Sequence, residues 1–185
     1  MRILIVGASG YVGGRLAARL IERGHEVVLA SRDPRGLAER FPDADIVRVD
    51  LLDPDTLPPA LEGIDTAYYL AHSMAGGEHG FAIRDLQAAR WFASAAREAG
   101  VGHIVYLGGL GDPGGELSPH LWSRQETGAE LAAHGVPVTE FRAAVIIGSG
   151  SASFELLRSL VEHLPVMVTP RWVRTLCQPI AIRDV

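Results

Sequence analysis

The sequence has few of the features that mark secreted, membrane-spanning or nucleic-acid-binding proteins. Among 185 residues there is one cysteine, Cys177, which excludes an internal disulfide and favours a reducing, cytoplasmic location. No apolar run approaches the ~20 residues of a membrane span, and the run from Ile3 to Val6 is too short for the core of a signal peptide. With 17 Lys and Arg against 22 Asp and Glu, the formal net charge is −5, so no nucleic-acid partner is expected.

Two kinds of chemical motif are also missing. The 7 histidines show no spacing with carboxylates or cysteine that would indicate a metal site. The segment Gly148-Ser-Gly-Ser-Ala152 has its serines at the wrong place for a hydrolase nucleophile elbow. A chain of this length with 48% hydrophobic residues is expected to form a single globular domain with a substantial core.

The most informative stretch is Arg2 to Gly14. Residues 2–6 are mostly aliphatic and predict a strand buried on both faces, and Leu16, Ala17 and Leu20 then recur at helical spacing. Between them lie Gly7, Gly10 and Gly13. A tight turn from a buried strand into a helix leaves the first N–H groups unpaired, and together with the helix dipole they form an anion site. The stretch predicts pyrophosphate binding; the alternative is a glycine-rich turn that binds nothing.

Strand and helix patterns alternate along the rest of the chain. Strands are predicted at 25–30, 43–49, 66–71, 103–107 and 136–147, and helices at 34–41, 55–61, 80–99 and 118–133. This alternation predicts an α/β fold, a doubly wound, Rossmann-like parallel sheet with helices on both faces in three αβα layers. In such sheets ligands lie beyond the carboxyl ends of the strands.

The C-terminal part is expected to be incomplete. A helix is predicted over 153–163 and extended segments over 166–169 and 178–185. No helix follows Asp184, so we expect the domain to be cut short there. Whatever covers the substrate is expected to lie in the missing part.

The second strand ends in Ala30-Ser31-Arg32-Asp33, where NAD-binding proteins place a carboxylate for the adenosine ribose. Arg32 and Ser31 can instead hold a 2′-phosphate through charge-assisted hydrogen bonds. We therefore expect NADP as the cofactor, with NAD the less favoured choice. Two alternatives stay open, namely that Arg32 is a solvated loop residue or that Asp33 binds the ribose of NAD.

Two further strand ends are candidates for the same site. Asp50 can meet the adenine amino group while Leu51 packs on the ring, although an Asx turn explains Asp50 equally well. After the fourth strand, small residues at 71 and 73 would let a dinucleotide pass, and His72 contacts cofactor or substrate or is simply a hydrogen-bonded wall residue.

These segments resemble an extended or atypical short-chain dehydrogenase/reductase, nearest the NmrA-like, NAD(P)H-binding branch related to nucleotide-sugar epimerases. The resembling motifs are GASGYVGG at 7–14, ASR at 30–32, VDLLD at 49–53, YYLAHSM at 68–74, VYLGGLG at 105–111 and SRQETGAELAAHGVPVTEFRAAVIIG at 123–148. The block 152–185 resembles bacterial members that have a further C-terminal domain. The resemblance implies cofactor contacts at Gly7, Ser9, Gly10, Tyr11, Val12, Gly13, Ser31, Arg32, Asp50, Leu51, Leu70, Ala71, His72, Gly108, Arg124 and Ala144.

The catalytic pattern of that family is broken in this sequence. The family uses a serine after the fifth strand and Tyr-x-x-x-Lys on the next helix, the lysine lowering the pKa of the tyrosine. Here Gly109 replaces the serine, Arg124 stands at the lysine position and His120 at the tyrosine position. His120 and Arg124 share a helix face, and a histidine with a pKa near ~6.5 suits proton transfer. Alternatively Ser118-Pro119 is a helix cap and His120 an exposed first-turn residue.

Other residues stay open between two roles. Tyr69 and Tyr106 lie near strand ends or in the core, and Trp91 and Phe92 on the predicted helix 80–99 pack a homodimer or the core. The segment 140–147 resembles the family's Arg-Pro-x-x-Val-x-Gly segment beside the nicotinamide, with Ala143 in place of proline, or is a plain central strand.

The resemblance and its departures lead to three functional hypotheses. The first is an NADP-dependent oxidoreductase that acts on an unidentified small molecule, with His120 and Arg124 catalytic. The second is a non-catalytic NAD(P)-binding sensor or regulatory domain of the NmrA kind, which the missing Ser-Tyr-Lys set favours. The third is a nucleotide-sugar epimerase or dehydratase, ranked lower because that chemistry also uses the tyrosine.

Overall fold

The computed structural model describes residues 1–72, 80–111, 117–164, 166 and 176–185, without the side chains of Phe81 and Ser153. Ser73, the loop 74–78 and most of the predicted extended segment 166–169 therefore lie outside the described residues. The chain divides into two compact units, Met1–Phe141 and Arg142–Val185. Whether they form one domain stays a prediction. None of the helices in the described ranges has the length and apolarity needed to cross a membrane.

The first unit contains a six-stranded sheet, except for the last two residues of its sixth strand. The strands are β1 (Arg2–Val6), β2 (Glu26–Ser31), β3 (Asp45–Arg48), β4 (Thr66–Tyr69), β5 (His103–Gly109) and β6 (Val138–Ala143). The helices are α1 (Tyr11–Glu22), α2 (Arg35–Arg40), α3 (Leu57–Leu61), α4 (Gly80–Glu98) and α5 (Pro119–Ala132). The strand order is β3-β2-β1-β4-β5-β6, with parallel pairing between neighbours from β3 to β5. The predicted doubly wound α/β fold is confirmed.

Strand β1 is buried on both faces, as its aliphatic run predicts. Ile3 and Ile5 pack in one hydrophobic cluster, and Leu4 and Val6 in another. The first cluster includes Ala17 and Leu20 of α1, and the second includes residues of α3 and α4. Each fully buried aliphatic side chain stabilises the fold by about 1.5–3 kcal/mol, so β1 is fixed at the centre of the sheet. Its carboxyl end, where the glycine turn begins, is fixed with it.

Three aromatic residues belong to the second cluster. Tyr69 contacts Phe92 and Tyr106 edge-to-face, with ring centroids 5.1 and 6.1 Å apart. All three are almost fully buried, and Trp91 packs partly against the same cluster. Of the two roles left open for Tyr69, Tyr106 and Phe92, the structure therefore gives them the core.

The predicted sixth strand is wrong beyond Ala143. After a bend at Ala144 the chain forms β7 (Ile146–Ile147), which pairs in parallel with β8 (Ile180–Ala181) in a separate two-stranded sheet. The helix α6 (Ala152–His163) lies between them in sequence. The apolar run is continuous through this bend, and its pattern does not reveal that the hydrogen-bond partner changes. The predicted extended segment 178–185 also stops early, because Ile182–Asp184 form a 3-10 turn.

Candidate functional site

The turn between β1 and α1 depends on glycines for two different reasons. Gly7 has a φ of +92°, and a Cβ there would lie 2.9 Å from the backbone carbon of Leu70 at the end of β4. A Cβ on Gly13 would overlap the carbonyl oxygen of Gly7. The turn is closed by a hydrogen bond from the Gly10 N–H to that same oxygen, 3.0 Å away. Glycine is therefore needed for the close approach of α1 to the ends of β1 and β4.

The start of α1 is open to an anion. Within residues 1–72, all of which are described, Gly10 at the N-cap provides no side-chain hydrogen bond and the first turn holds no acidic residue. The free N–H groups and the helix dipole therefore favour a negatively charged ligand here.

A cavity of about 560 Å³ lies at the carboxyl ends of β1, β2, β3 and β4 and against α4. This volume is in the range of small-molecule and cofactor sites. The predicted cofactor residues that line it are Gly7, Ser9, Gly10, Ser31, Arg32, Asp50, Leu51, Leu70, Ala71 and His72. Tyr11, Val12 and Gly13 lie in the first turn of α1, Gly108 in β5, Arg124 in α5 and Ala144 in the second unit. The contacts of all these residues with a cofactor stay predictions.

Asp33 and Arg32, the two charged residues that the sequence analysis gave as alternatives for binding the adenosine ribose, have different surroundings at the end of β2. The Asp33 carboxylate accepts from the backbone N–H of Arg35 at 3.2 Å and from its guanidinium at 3.1 and 3.3 Å. These side-chain and backbone hydrogen bonds hold the pKa of Asp33 below its ordinary value. The Ser31 hydroxyl donates to the Asp33 carbonyl at 3.0 Å. Among the described residues, the Arg32 side chain has no hydrogen-bond or ion-pair partner, so its charge remains available to the cavity.

Asp50 forms the Asx turn that the sequence analysis gave as an alternative to an adenine contact. Its Oδ1 accepts from the Leu52 N–H at 3.1 Å, which is an Asx turn. The Thr56 hydroxyl accepts from the Asp50 N–H at 3.1 Å. Asp50 nevertheless lines the cavity, so the Asx turn holds it at the cavity wall, and its contact with adenine stays a prediction.

On the other side of β1, two histidines from distant parts of the chain come together. The ring centroids of His72, after β4, and His120, in the first turn of α5, are 6.2 Å apart at an interplanar angle of 62°. The predicted cap of α5 is confirmed, since the Ser118 hydroxyl accepts from the Leu121 N–H at 3.3 Å. His120 is an exposed residue in the first turn of α5, which was the alternative given for it from the sequence. It also lies next to His72, which lines the cavity.

Arg124 is fixed by β5. Its guanidinium donates to the carbonyl oxygen of Leu107 and lies 5.9 Å from the centre of the Tyr106 ring. The Tyr106 hydroxyl in turn donates to the Arg124 carbonyl at 2.9 Å. These contacts hold the cationic side chain at the carboxyl end of β5, beside the two histidines.

Neither buried tyrosine substitutes for the catalytic tyrosine of the resembling family. Burial raises the pKa of Tyr106 to about 12, although the nearby Arg124 acts against the shift. Burial, reinforced by the negative charge of Asp85, also raises the pKa of Tyr69 well above its ordinary value. Both phenols stay protonated at neutral pH and lie in the core.

The structure gives a reason for the glycines of β5. A Cβ on Gly109, at the position of the family's serine, would lie 2.6 Å from Cδ2 of Leu121 and 3.4 Å from Cδ of Arg124. A Cβ on Gly108 would overlap the Glu140 carboxylate. Helix α5 thus packs so closely on β5 that a serine at 109 requires Leu121 to move.

Helix α4 contributes two charged cavity-lining residues that the sequence analysis missed. Arg84 and Asp85 both line the cavity, and Asp85 is only 8% exposed. A signal for Asp85 was present, because it precedes the core residues Ala89 and Phe92 by four and seven positions and so shares their face. A carboxylate on the buried face of a helix is rare unless it is paired.

Three charged or titratable neighbours act on His72. Partial desolvation of the ring, then the positive charge of Arg124, then His120, lower the pKa of His72 below its ordinary value. Asp85 and a hydrogen bond with the backbone of Leu70 act in the opposite direction. His72 is therefore predominantly neutral at neutral pH, when one nitrogen can donate a hydrogen bond and the other accept one.

In the described ranges, no group of three or more His, Cys, Asp or Glu side chains is arranged to hold a metal ion.

A protein-family model described as NAD(P)H-binding matches residues 7–143. A 3 beta-hydroxysteroid dehydrogenase/Delta 5→4-isomerase of Mycobacterium tuberculosis is 29% identical over 202 residues, covering 90% of this chain and 54% of that protein. A 2-alkyl-3-oxoalkanoate reductase of Stenotrophomonas maltophilia is 28% identical over 113 residues, covering 57% of this chain and 32% of that protein. The chain thus spans about half the length of the first of these relatives and less of the second.

Solved structures of similar fold include two enzymes. A triphenylmethane reductase of Citrobacter sp. has a TM-score of 0.71 at 22% identity, covering 88% of this chain and 55% of the other. A UDP-glucose 4-epimerase of Thermotoga maritima has a TM-score of 0.79 at 15% identity, covering 100% of this chain and 70% of the other. At these identities both structures establish the fold alone.

Proposed function

The chain belongs to the NAD(P)H-binding family, and from this premise we propose that it is an NADP-dependent oxidoreductase of the atypical short-chain dehydrogenase/reductase type. Its substrate is a small molecule with a carbonyl or hydroxyl group. The two curated relatives, a hydroxysteroid dehydrogenase and an oxoalkanoate reductase, support this reaction class. The substrate itself and the activity of the whole protein are part of the proposal.

The residues of the cavity fit a dinucleotide. The glycine turn brings the open N-terminus of α1 to the cavity, where it would hold the pyrophosphate. Arg32, without a partner among the described residues, would hold the 2′-phosphate, because a guanidinium binds phosphate through two charge-assisted hydrogen bonds. Bound NADPH would supply the hydride.

His120 is the proposed proton donor at the reacting end. It stands at the position of the family's tyrosine, and its ring lies 6.2 Å from that of His72 on the cavity wall. Its imidazole would give a proton to the substrate oxygen. Arg124, held by the Leu107 carbonyl and the Tyr106 ring, would hold the cofactor ribose in place of the family's lysine.

The observation that supports the proposal best is that His120 lies next to His72, which lines the same cavity as Arg32 and the glycine turn. This observation supports a proton-donating group and a phosphate-binding group on opposite sides of β1. Such an arrangement serves reduction of a carbonyl better than binding alone.

The cofactor assignment is tested by calorimetric titration of the chain with NADPH and with NADH. We expect tight binding of NADPH and weak binding of NADH. Arg32→Ala should weaken NADPH binding by about 10–100-fold, the equivalent of hydrogen bonds to a charged group worth ~1.5–3 kcal/mol, and leave NADH binding unchanged. Arg97→Ala, an exposed arginine in the last turn of α4, is the matched control. A preference for NADH would contradict the assignment.

A second candidate function, a non-catalytic NAD(P)-binding sensor, is favoured by one observation. Gly109 stands where the family has its serine, and a side chain there would require Leu121 to move. Reduction of a panel of carbonyl compounds by NADPH separates the candidates. His120→Ala should keep NADPH affinity and lose turnover by at least ~10²-fold, as expected for a lost proton donor. Tight NADPH binding without turnover on any compound would favour the sensor.

A further inference from the structure

The proposed proton transfer leaves two groups near His120 without a role. His72 faces its ring at 6.2 Å, and Asp85 is a nearly buried carboxylate on the wall of the same cavity. They come from different elements, since His72 follows β4 and Asp85 lies in α4. Neither is a member of the two hydrophobic clusters that flank β1.

The arrangement has a chemical consequence for His120. In a carbonyl reduction, the carbonyl carbon gains a hydride and the oxygen gains the His120 proton, which yields an alcohol and a neutral imidazole. Before the next turnover, His120 must regain a proton from water. A neighbouring imidazole shortens this path, because it accepts a proton at one nitrogen and releases one from the other.

We infer that His72 relays the returning proton from water to His120, with Asp85 stabilising the transient charge on the His72 ring; this rests on the proposed function. His72 acts through His120 and does not touch the reacting atoms. His72 is exposed at the cavity wall, so water can reach its ring.

The charges around His72 favour a group that transfers a proton over one that retains it. Arg124 and His120 on α5 disfavour the imidazolium form of His72, while Asp85 on α4 favours it. The ring is therefore neutral at rest and passes a proton on soon after it receives one. A group that held its proton firmly would not recharge His120.

The effect of His120 and Asp85 on the pKa of His72 is tested first, by NMR titration of the cofactor-free chain with labelled histidine. His120→Gln removes a positive neighbour, so the pKa of His72 should rise. Asp85→Asn removes a negative neighbour, so that pKa should fall further. His25→Gln, which precedes β2 at the opposite end of the sheet, should leave it unchanged. His120 is exposed and its replacement should not unfold the chain, so an unaltered His72 titration in His120→Gln would by itself overturn the inference.

The relay is tested in turnover with a carbonyl compound that the panel identifies. His72→Gln should lower kcat by about tenfold, less than the ~10²-fold or more expected for a direct proton donor, and this loss should persist at saturating NADPH, where a contact of His72 with the cofactor no longer limits the rate. Added imidazole should restore kcat in His72→Ala. An unchanged kcat in His72→Gln overturns the relay alone. A wild-type chain that binds NADPH but reduces no compound overturns the proposed function, and the relay with it.

Discussion

The two sides of β1 are built in different ways. The β2 side, formed by the glycine turn and the ends of β2 and β3, consists of short continuous segments such as Ser31-Arg32-Asp33. The β4 side consists of His72, Asp85, Gly109, His120 and Arg124, which come from four separate elements or loops. On the first side, Asp33 is held by Arg35, which is two residues away in the sequence. On the second, Tyr106 holds Arg124 from 18 residues away.

This difference suggests how the site divides its tasks. Local segments suffice to bind a phosphate, because the helix N-terminus and one arginine provide the necessary charge. Proton transfer needs several groups at fixed mutual distances, and these come together only when α4 and α5 pack on the sheet. The β2 side should therefore withstand changes in α5, whereas the β4 side should not.

The largest effect is expected for Gly7→Ala. Its Cβ would meet the backbone of Leu70 at 2.9 Å in addition to the strain of a left-handed backbone, so the two sides would be pushed apart at the turn. We expect NADPH affinity in calorimetry to fall by more than ~100-fold, since a misplaced helix N-terminus loses several hydrogen bonds of ~1.5–3 kcal/mol each. Gly24→Ala has a similar φ of +78° and open space around it, so it should lose stability only. Equal NADPH affinity in the two variants would contradict the contact argument.

An intermediate effect is expected for Gly109→Ser, which restores the family's residue. The added Cβ would lie 2.6 Å from Leu121 Cδ2, and such overpacking costs about 1–3 kcal/mol. Thermal unfolding should begin several degrees lower, while NADPH affinity on the β2 side is retained.

The matched test of that prediction is the double variant with Leu121→Ala. Removing the obstructing methyl groups should make Gly109→Ser nearly neutral. An equal loss of stability in both backgrounds would show that the overlap with Leu121 is not the cause.

The smallest effect is expected for Tyr106→Phe. It removes the hydroxyl that donates to the Arg124 carbonyl at 2.9 Å, and a single hydrogen bond contributes about 0.5–1.5 kcal/mol. Urea unfolding should show a loss in this range, and NADPH affinity and turnover should both fall only slightly, because the Arg124 guanidinium keeps its hydrogen bond to the Leu107 carbonyl. Tyr68→Phe, a half-buried tyrosine of β4, is the control. A large loss of NADPH affinity with intact turnover in Tyr106→Phe would contradict the difference inferred between the β2 side and the β4 side.

Much of the fold could be predicted because its signals are local. The aliphatic run of β1 and the glycines at 7, 10 and 13 predicted a buried strand, a tight turn and a helix in the right places. The Ser118-Pro119 cap predicted the start of α5. The error after Ala143 arose because an apolar run does not specify which strand it pairs with.

The site was predicted unevenly for the same reason. Arg32 was predicted from its position at a strand end and lines the cavity, and His120 was predicted from its spacing from Arg124. Asp85 was missed, although it shares a helix face with the core residues Ala89 and Phe92. The proximity of His72 to His120 was likewise invisible, because it depends on how α5 packs against the sheet.

The sequence alone determined the order of strands and helices, the glycine turn and the arginine at the end of β2, since hydrophobic periodicity and backbone freedom act over a few residues. Only the tertiary structure decided that a side chain at Gly109 would meet Leu121, and that His72, Asp85, His120 and Arg124 share one end of the sheet. Those outcomes depend on distances between segments that are far apart in the sequence. These segments come together because two hydrophobic clusters pack on the two faces of β1.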